Sequence, residues 1–219
     1  MVSKRLKVIA NYIDHNDKYI YDVGCDHALL DIYLANKYKK MSFFAIDISK
    51  KCIEKALDNI KKYNFENRIR TIVNDGLTNI SLEDKSSLII SGMGAHTIID
   101  ILNNCEIKKL NKIVIQSNND LEFLRREMVK KGFFIKDEDV VYDKKYYVAI
   151  LFIPGNQKYT DDEYLFGPKL LNNRRENIDY FTFLYNKNKI IYKKLPLRKI
   201  FKKIKKLIIL SKIKKLLKK

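Results

Sequence analysis

The sequence predicts a doubly wound α/β fold with a mostly parallel, seven-stranded sheet, followed by a helical C-terminal region. Three observations lead to this prediction. Short apolar runs alternate with helical periodicities up to about residue 131, two further strands then follow in direct succession, and the chain beyond residue 168 is helical and rich in lysine. Alternating strands and helices imply right-handed crossovers, and therefore a parallel sheet that helices cover on both faces.

Each predicted strand is a short apolar run, and each helix between two strands carries an apolar stripe. Strands are expected at 19–24, 42–48, 69–73, 87–91 and 112–116, with two more within 133–153. Helices are expected at 4–16, 27–40, 49–64, from 96, and at 120–131. Five parallel strands and a terminal antiparallel pair are typical of the methyltransferase type of doubly wound domain, and not of the plain dinucleotide-binding type.

The pattern divides the chain into three parts. Residues 1–154 are predicted to form the catalytic domain, and residues 155–168, which contain two glycines and a proline, to form a linker. Residues 169–219 carry two apolar stripes, at 169–195 and 197–217, separated by Pro196. The simplest arrangement is an antiparallel helical hairpin in which each stripe covers the other, and one kinked helix is the alternative.

Positive charge is concentrated at the C-terminal end. The 219 residues have a net charge of +18, and residues 186–219 contain 15 basic and no acidic side chains. Such a segment predicts a polyanionic partner, either nucleic acid or an anionic membrane surface. The alternative is that a lysine-rich composition has no specific role. With 46% hydrophobic residues the chain can bury a core, which excludes global disorder.

Other sequence features exclude several classes of protein. No apolar run approaches the roughly 20 residues of a membrane span, and the N-terminus does not resemble a secretory signal. Cys25, Cys52 and Cys105 are odd in number and far apart, so neither a disulfide framework nor a metal site is expected. These features indicate a cytoplasmic protein.

The loop after the first predicted strand carries acidic groups where a dinucleotide-binding protein carries glycines. It reads Asp22-Val-Gly-Cys-Asp-His-Ala28 and lacks the G-x-G-x-x-G pattern that lets backbone approach a pyrophosphate. A cationic ligand without phosphate, such as S-adenosylmethionine, suits this loop better. The alternative is a tight turn in which Asp26 caps the next helix. The candidate donor-binding residues are Asp22, Gly24, Cys25 and His27, although His27 is equally well explained as a helix-start residue.

Three further strand ends carry residues that suit the same ligand. Asp47, followed by Ile48, is placed to accept hydrogen bonds from both ribose hydroxyls. The loop after the third strand contains Asn74, Asp75 and Gly76, and offers an aspartate for the adenine amino group and a glycine for close approach. The loop after the fourth strand contains Gly92, Met93 and Gly94, and gives backbone access to a flat ring. Turn chemistry explains each loop alone, but four at the expected strand ends favour a methyltransferase.

The sequence resembles the bacterial tRNA (adenine(22)-N1)-methyltransferase family over its whole length. The resemblance is carried by D-V-G-C-D-H-A-L-L, G-M-G and I-V-I-Q-S-N, with R-L near the start and F-G-P before the helical region. It implies a class I methyltransferase domain, S-adenosylmethionine as donor, a coiled-coil-like C-terminal region and 1-methyladenosine formation at tRNA position 22. The sequence departs from the family pattern, which has serine, proline, glycine and proline, at Cys25, Asp31, Ala95 and Ser117.

The expected chemistry needs positioning and electrostatics more than a nucleophile. The N1 lone pair of adenine attacks the methyl group directly and the product ring is cationic, so a nearby carboxylate stabilises the transition state. Asp26 is the catalytic candidate, with binding of the donor ammonium as its competing role. Gln116 and Asn118 are candidates for reading an adenine edge, and Lys202, Lys203 and Lys206 for contacting tRNA phosphates.

Two alternative functions remain open from the sequence. One is methylation of another RNA or of a small molecule. The other is binding of the basic C-terminal helix to an anionic membrane surface, which loses its apolar face if residues 169–195 cover the stripe. No protein partner and no metal ion are predicted.

Overall fold

The protein contains one seven-stranded sheet in the order β3-β2-β1-β4-β5-β7-β6, as seen in a computed structural model that describes residues 2–218. The first five strands are parallel to one another, and the last two form an antiparallel hairpin whose strand β7 pairs with β5. This confirms the predicted fold. The strands are β1 (Tyr19–Val23), β2 (Ser42–Asp47), β3 (Ile69–Val73), β4 (Ser86–Met93), β5 (Leu110–Ser117), β6 (Phe133–Asp143) and β7 (Lys145–Pro154).

One helix precedes β1, four connect successive strands, and the others follow the hairpin. Two of them begin at serine N-caps, because the hydroxyls of Ser3 and Ser49 accept hydrogen bonds from the first helical turn. The helices are α1 (Lys4–Asn11), α2 (Leu29–Lys37), α3 (Lys50–Lys62), α4 (Ala95–Asn103), α5 (Leu121–Lys130), α6 (Asp161–Phe166), α7 (Pro168–Asn172), α8 (Ile178–Lys194) and α9 (Ile200–Lys218).

The strands pack into an apolar core, and their register aligns the ends of β1, β2 and β4. Ile20, Ile89 and Val114, on three adjacent strands, are fully buried. Val23, at the end of β1, pairs with Ile46 of β2 on one side and Ile90 of β4 on the other. Because these strands are parallel, the loops that follow β1, β2 and β4 meet at one edge of the sheet.

The segment predicted as a linker is folded onto the sheet. Residues 155–168 include α6, which begins with a capping box between Thr160 and Glu163. The Tyr159 hydroxyl accepts a hydrogen bond of 2.9 Å from the backbone N–H of Ile135. The first of two compact units accordingly extends to Lys169. The glycines and the proline of this segment therefore mark turns in a packed connection.

The second unit, Leu170–Lys219, contains a helical hairpin. Helices α8 and α9 pack antiparallel, since Lys206 donates a hydrogen bond of 2.8 Å to Asn188 while Lys203 lies 5.1 Å from the centre of the Tyr192 ring. Pro196 separates the two helices, so the alternative of one kinked helix does not apply.

The expectation that the two stripes cover each other holds only in part. Ile209 and Ile213 of α9 are buried. Several other apolar positions of α9 and of the turn before it are exposed, because the stripe is wider than α8 can cover. The exposed apolar residues are Leu197, Ile200, Phe201, Ile204, Leu207 and Ile208, called the exposed apolar row below.

None of the helices described between residues 2 and 218 combines the length and the apolar character needed to cross a bilayer.

Candidate active site

A cavity of about 340 Å³ opens at the edge of the sheet where β1, β2 and β4 end. It falls within the size range of small-molecule sites. Its lining is acidic on the β1 and β2 side and contains glycine and methionine on the β4 side. Residues from α1, α2, the ends of these three strands and the turn after β1 line it: Arg5, Leu6, Asp22, Gly24, Cys25, Asp26, His27, Leu29, Leu30, Asp47, Ser91, Gly92 and Met93.

Gly24 makes the sharp turn that opens the cavity. Its φ is +79°, and its N–H donates a hydrogen bond of 2.8 Å to the carbonyl of Ile46. A Cβ atom at this position would lie 2.3 Å from Cε of Met93. The conformation of the turn therefore favours glycine, and any larger residue would also move the end of the Met93 side chain.

Asp26 and His27 lie at the rim of the cavity. Asp26 has a φ of +54°, and its N–H donates a 3.1 Å hydrogen bond to the Asp47 carboxylate. Its own side chain is 72% exposed and lies 3.3 Å from Nε2 of His27. Ala28 occupies the N-cap position of α2, so the alternative in which Asp26 caps that helix does not apply. The carboxylate, which also accepts a hydrogen bond from Sγ of Cys52, is accessible to a ligand.

Asp22 and Asp31 form a buried acidic pair behind the glycine turn. Asp22 is 3% exposed and Asp31 is fully buried, in the first turn of α2. Burial raises the pKa of Asp22 to about 7, although its hydrogen bond with Asp31 and the positive charge of Arg5 oppose the rise. Burial and the neighbouring Asp22 charge raise the pKa of Asp31 well above its usual range.

Arg5 joins the site from the N-terminal helix. Its Nη1 donates a hydrogen bond of 2.8 Å to Oε1 of Gln116 and lies 3.4 Å from Oγ of Ser91. Gln116 is 1% exposed, and its amide nitrogen donates to Asn118, whose own amide donates to the carbonyl of Gly92. Both amides are thus engaged in a network beside the cavity, and their assignment to an adenine edge stays a prediction.

Sequence patterns placed eight of the candidate donor-binding and catalytic residues around this cavity and missed Arg5. The only sequence signal for Arg5 was its place in the R-L pair near the start, because 86 residues separate it from Ser91. The residues assembled at the cavity are Asp22, Gly24, Cys25, Asp26, His27, Asp47, Gly92 and Met93.

Five candidates lie outside the lining of this cavity. Ile48 is 67% exposed, and the amide of Asn74 is bonded to the carbonyls of Gly76 and Thr78 within its own loop. Gly94 is the N-cap of α4. Contacts with a bound donor remain predictions for these residues and for the two others of the third loop, Asp75 and Gly76.

The three candidate RNA-binding lysines differ in exposure. Lys202 is exposed, whereas Lys203 and Lys206 are half-buried along α8. Burial lowers the pKa of Lys206, and the neighbouring charges of Lys205 and Lys187 lower it further. Within residues 2–218, no group of three or more histidine, cysteine, aspartate or glutamate side chains is arranged to hold a metal ion.

Three features define a class I methyltransferase domain: the sheet order, the turn after β1 that contains Gly24 and Asp26, and the cavity at the strand ends. The family model described as a methyltransferase domain matches residues 2–151. A putative tRNA methyltransferase of Mycoplasma genitalium is 33% identical over 178 residues, which cover 78% of this chain and 79% of that protein. The chain belongs to this methyltransferase family.

Solved structures resemble the protein over its full length. TrmK of M. capricolum, in complex with S-adenosyl-homocysteine, has a TM-score of 0.86 and 30% identity, with 100% of this chain and 98% of that chain covered. Streptococcus pneumoniae Sp1610, described as a putative tRNA (m1A22) methyltransferase, has a TM-score of 0.89 at 23% identity, with 99% and 100% covered. The second likeness concerns the fold alone.

Proposed function

We propose that the protein transfers the methyl group of S-adenosylmethionine to N1 of adenosine at position 22 of tRNA. The observation that carries the proposal is the cavity at the end of β1, which has an acidic lining and a glycine turn in place of a phosphate-binding loop. The Mycoplasma relatives described as putative tRNA methyltransferases support tRNA as the acceptor. A tRNA substrate agrees with the cytoplasmic location expected from the sequence.

The cavity fits the methyl donor by its chemistry. When bound, S-adenosylmethionine supplies an electrophilic methyl group on a cationic sulfur. Asp22 faces the cavity from the end of β1, where a carboxylate favours the ammonium group of the donor. Asp47, whose carboxylate accepts the N–H groups of Asp26 and Ser49, keeps further lone pairs for the ribose hydroxyls.

Asp26 is placed to act on the acceptor base. Its carboxylate is exposed at the rim, and the left-handed backbone and the hydrogen bond to Asp47 hold the loop in place. A negative charge there stabilises the adenine ring as methylation makes it cationic. Measurement of both turnover and donor affinity in Asp26→Asn distinguishes the two roles: loss of turnover at unchanged donor affinity supports catalysis, and unchanged turnover contradicts it.

N1 lies on the Watson–Crick edge, so a paired adenine must be extruded before it can react, at a cost of a few kcal/mol. The basic second unit offers the binding energy, because 15 basic and no acidic side chains occur in residues 186–219. The half-buried Lys203 and Lys206 keep α9 packed on α8, and the exposed lysines of α9 are the ones available to phosphates.

The decisive test is nucleoside mass spectrometry of unmodified tRNA transcripts incubated with the protein and S-adenosylmethionine. We expect 1-methyladenosine in the transcript with adenosine at position 22, and none when guanosine replaces it. Methylation that persists after the replacement moves the acceptor to another site or another RNA. No methylation of any RNA, with donor binding intact, favours a small-molecule acceptor.

The exposed apolar row favours a second candidate role, binding to an anionic membrane surface. Apolar side chains flanked by lysines on one helix are typical of helices that lie at a lipid interface. Co-sedimentation with vesicles that contain anionic lipid tests this role. Binding that disappears on substitution of Phe201 by serine supports it, and failure to sediment with such vesicles excludes it.

A further inference from the structure

The buried acidic pair of Asp22 and Asp31 contains polar atoms without a partner. Among the described residues, neither carboxyl oxygen of Asp31 has a hydrogen-bond donor, although the side chain is fully buried. Its neighbour Asp22 is another acid within hydrogen-bonding reach. Two ionised carboxylates would repel each other and leave both oxygens of Asp31 without a hydrogen bond in a site shielded from water.

A single proton on the pair resolves this conflict. A protonated carboxyl is a hydrogen-bond donor, so it satisfies the other carboxylate and removes the repulsion. Asp31 is the member of the pair that carries the proton, because it is the more deeply buried and has no basic group beside it. Asp22 is the member that faces the cavity and that feels the positive charge of Arg5.

We propose that Asp31 holds the proton of this pair and donates its hydrogen bond to Asp22, so that Asp22 presents a negative charge to the ammonium group of the methyl donor. Asp31 is thus a positioning residue that makes donor affinity depend on pH. This inference rests on the proposed function, since it takes S-adenosylmethionine as the ligand. This chain has Asp31 at a position where the pattern of the family it resembles has proline.

The surrounding groups support this assignment of the proton. Burial raises the pKa of both carboxyls, that of Asp22 to about 7 and that of Asp31 well above its usual range. From α1, Arg5 lowers the pKa of Asp22, and from the end of β2, Asp47 raises it. Cys25, in the loop between the pair and the cavity, is a neutral thiol because burial raises its pKa.

The expected pH dependence follows from the charge on Asp22. Below pH 7 Asp22 takes up a proton and no longer attracts the ammonium group. The dissociation constant of S-adenosylhomocysteine, which has the ammonium but no sulfonium, should then rise, approaching tenfold for each pH unit below about 6. Calorimetric titration from pH 5.5 to 8.5 measures this. The ligand's own ammonium titrates identically with every variant, so differences between variants report the protein.

Three variants test the role of Asp31. Asp31→Asn keeps a neutral hydrogen-bond donor beside Asp22. Its dissociation constants for S-adenosylhomocysteine should match those of the wild type within about twofold at every pH. Asp31→Val removes the hydrogen-bond donor to Asp22, which raises the pKa of Asp22. It should therefore weaken S-adenosylhomocysteine binding at pH 7 by about tenfold and shift the pH dependence of binding to higher pH. Asp31→Pro introduces the residue of the family pattern, which also lacks a side-chain hydrogen-bond donor. Proline is tolerated in the first turn of a helix, so this variant replaces Asp31→Val if that variant does not fold.

Two results would overturn the inference. If the pH dependence of binding by Asp31→Val or Asp31→Pro matches that of the wild type, Asp31 does not act on Asp22. A profile of Asp31→Asn that shifts to lower pH shows that Asp31 was negatively charged. Carbon-13 NMR of the carboxyl groups in the ligand-free protein gives an independent reading, with the Asp31 signal remaining that of an acid above pH 7. If the wild type binds no S-adenosylhomocysteine at any pH, the proposed function fails, while the NMR result still decides the position of the proton.

Discussion

At the scale of single residues, the site depends on backbone conformations that only certain side chains tolerate. Gly24 has a φ of +79° and lies under Met93, whereas Gly132 has a φ of +84° with nothing within 4 Å of a Cβ position. The two glycines therefore share a left-handed conformation and differ in their surroundings, which makes them a matched pair for substitution.

We expect both Gly24→Ala and Gly132→Ala to destabilise the protein by about 1–2 kcal/mol, the cost of a left-handed alanine. Only Gly24→Ala should also weaken donor binding, because its methyl group displaces Met93 from the cavity wall. Urea denaturation and calorimetric titration measure the two effects. Equal donor affinity in the two variants would show that the contact with Met93 does not shape the site.

The Asp22–Asp31 pair also predicts a pH dependence of stability. A carboxyl whose pKa is raised on folding contributes stability that is present below its unfolded pKa of about 4 and is lost as the pH rises towards its folded pKa. We therefore expect Asp31→Asn to be more stable than the wild type above pH 4, by up to about 1.4 kcal/mol for each pH unit until the folded pKa is reached.

Urea denaturation at pH 5, 6 and 7 measures this difference. Asp58→Asn is the control, because it removes an exposed carboxylate of α3 in place of a buried one. Parallel stability curves for Asp31→Asn and the wild type would contradict the burial of a protonated acid.

At the scale of secondary-structure elements, a buried ion pair fastens residues 155–168 to the sheet. Nε of Arg125, on α5, lies 2.7 Å from the Glu138 carboxylate on β6, and both side chains are almost fully buried. Nη1 of the same arginine donates to the carbonyl of Tyr164 in α6. The next residue, Arg126, forms an exposed pair with Asp161 at 2.8 Å.

We expect Arg125→Met to lower the free energy of unfolding by about 3–5 kcal/mol, since it leaves Glu138 charged and buried without a cationic partner. Arg126→Met should cost about 1 kcal/mol or less, because its pair is exposed. Combining Arg125→Met with Glu138→Met should restore most of the loss, since no buried charge then remains. Urea denaturation measures the free energy of unfolding of each variant. An equal decrease in Arg125→Met and Arg126→Met would disprove the role of burial.

The strands were predictable from the sequence to within about two residues, because each is a short apolar run bounded by polar residues. The ends of the helices were less so. The helix predicted at 4–16 ends at Asn11, yet Tyr12 and Ile13 beyond it are buried in the core. An apolar residue can fill the core from a turn as well as from a helix, so periodicity alone did not reveal where α1 ends.

The site was predictable where its residues follow strands and not where they come from elsewhere. Asp22 and Asp47 were found because parallel strands end at one edge. Arg5 was missed because it reaches the cavity from α1, and Asp31 was noted only as a departure from the family pattern. The role of Arg125 in holding residues 155–168 was also hidden, since a composition of turn residues does not show which side chain packs against them.

At the scale of the whole molecule, charge is divided between two compact units. The cavity belongs to the first unit, and residues 186–219 of the second carry the excess of basic side chains. If the exposed lysines of α9 bind tRNA phosphates, neutralising one of these lysines should lower the slope of log affinity against log salt concentration by roughly 0.7–0.9.

We therefore expect replacement of Lys202, Lys205, Lys214 and Lys215 by glutamine to weaken tRNA binding and to flatten its salt dependence. The matched control replaces four exposed lysines of the first unit, Lys39, Lys40, Lys61 and Lys62. Filter binding between 50 and 200 mM salt, about the range over which such effects are large, measures both. An equal decrease of slope in the two variants would mean that the second unit has no special part in RNA binding.

The thiol in the donor loop has a consequence for the durability of the enzyme. Cysteine at position 25, where the resembling family has serine, would normally expose a catalytic loop to oxidants, because the thiolate is the form that peroxide attacks. Here the side chain is 6% exposed, and burial and the acidic neighbours keep its pKa above the ordinary value. We therefore expect the Cys25 thiol to react slowly with peroxide and the loop to keep its sulfur reduced under oxidative stress.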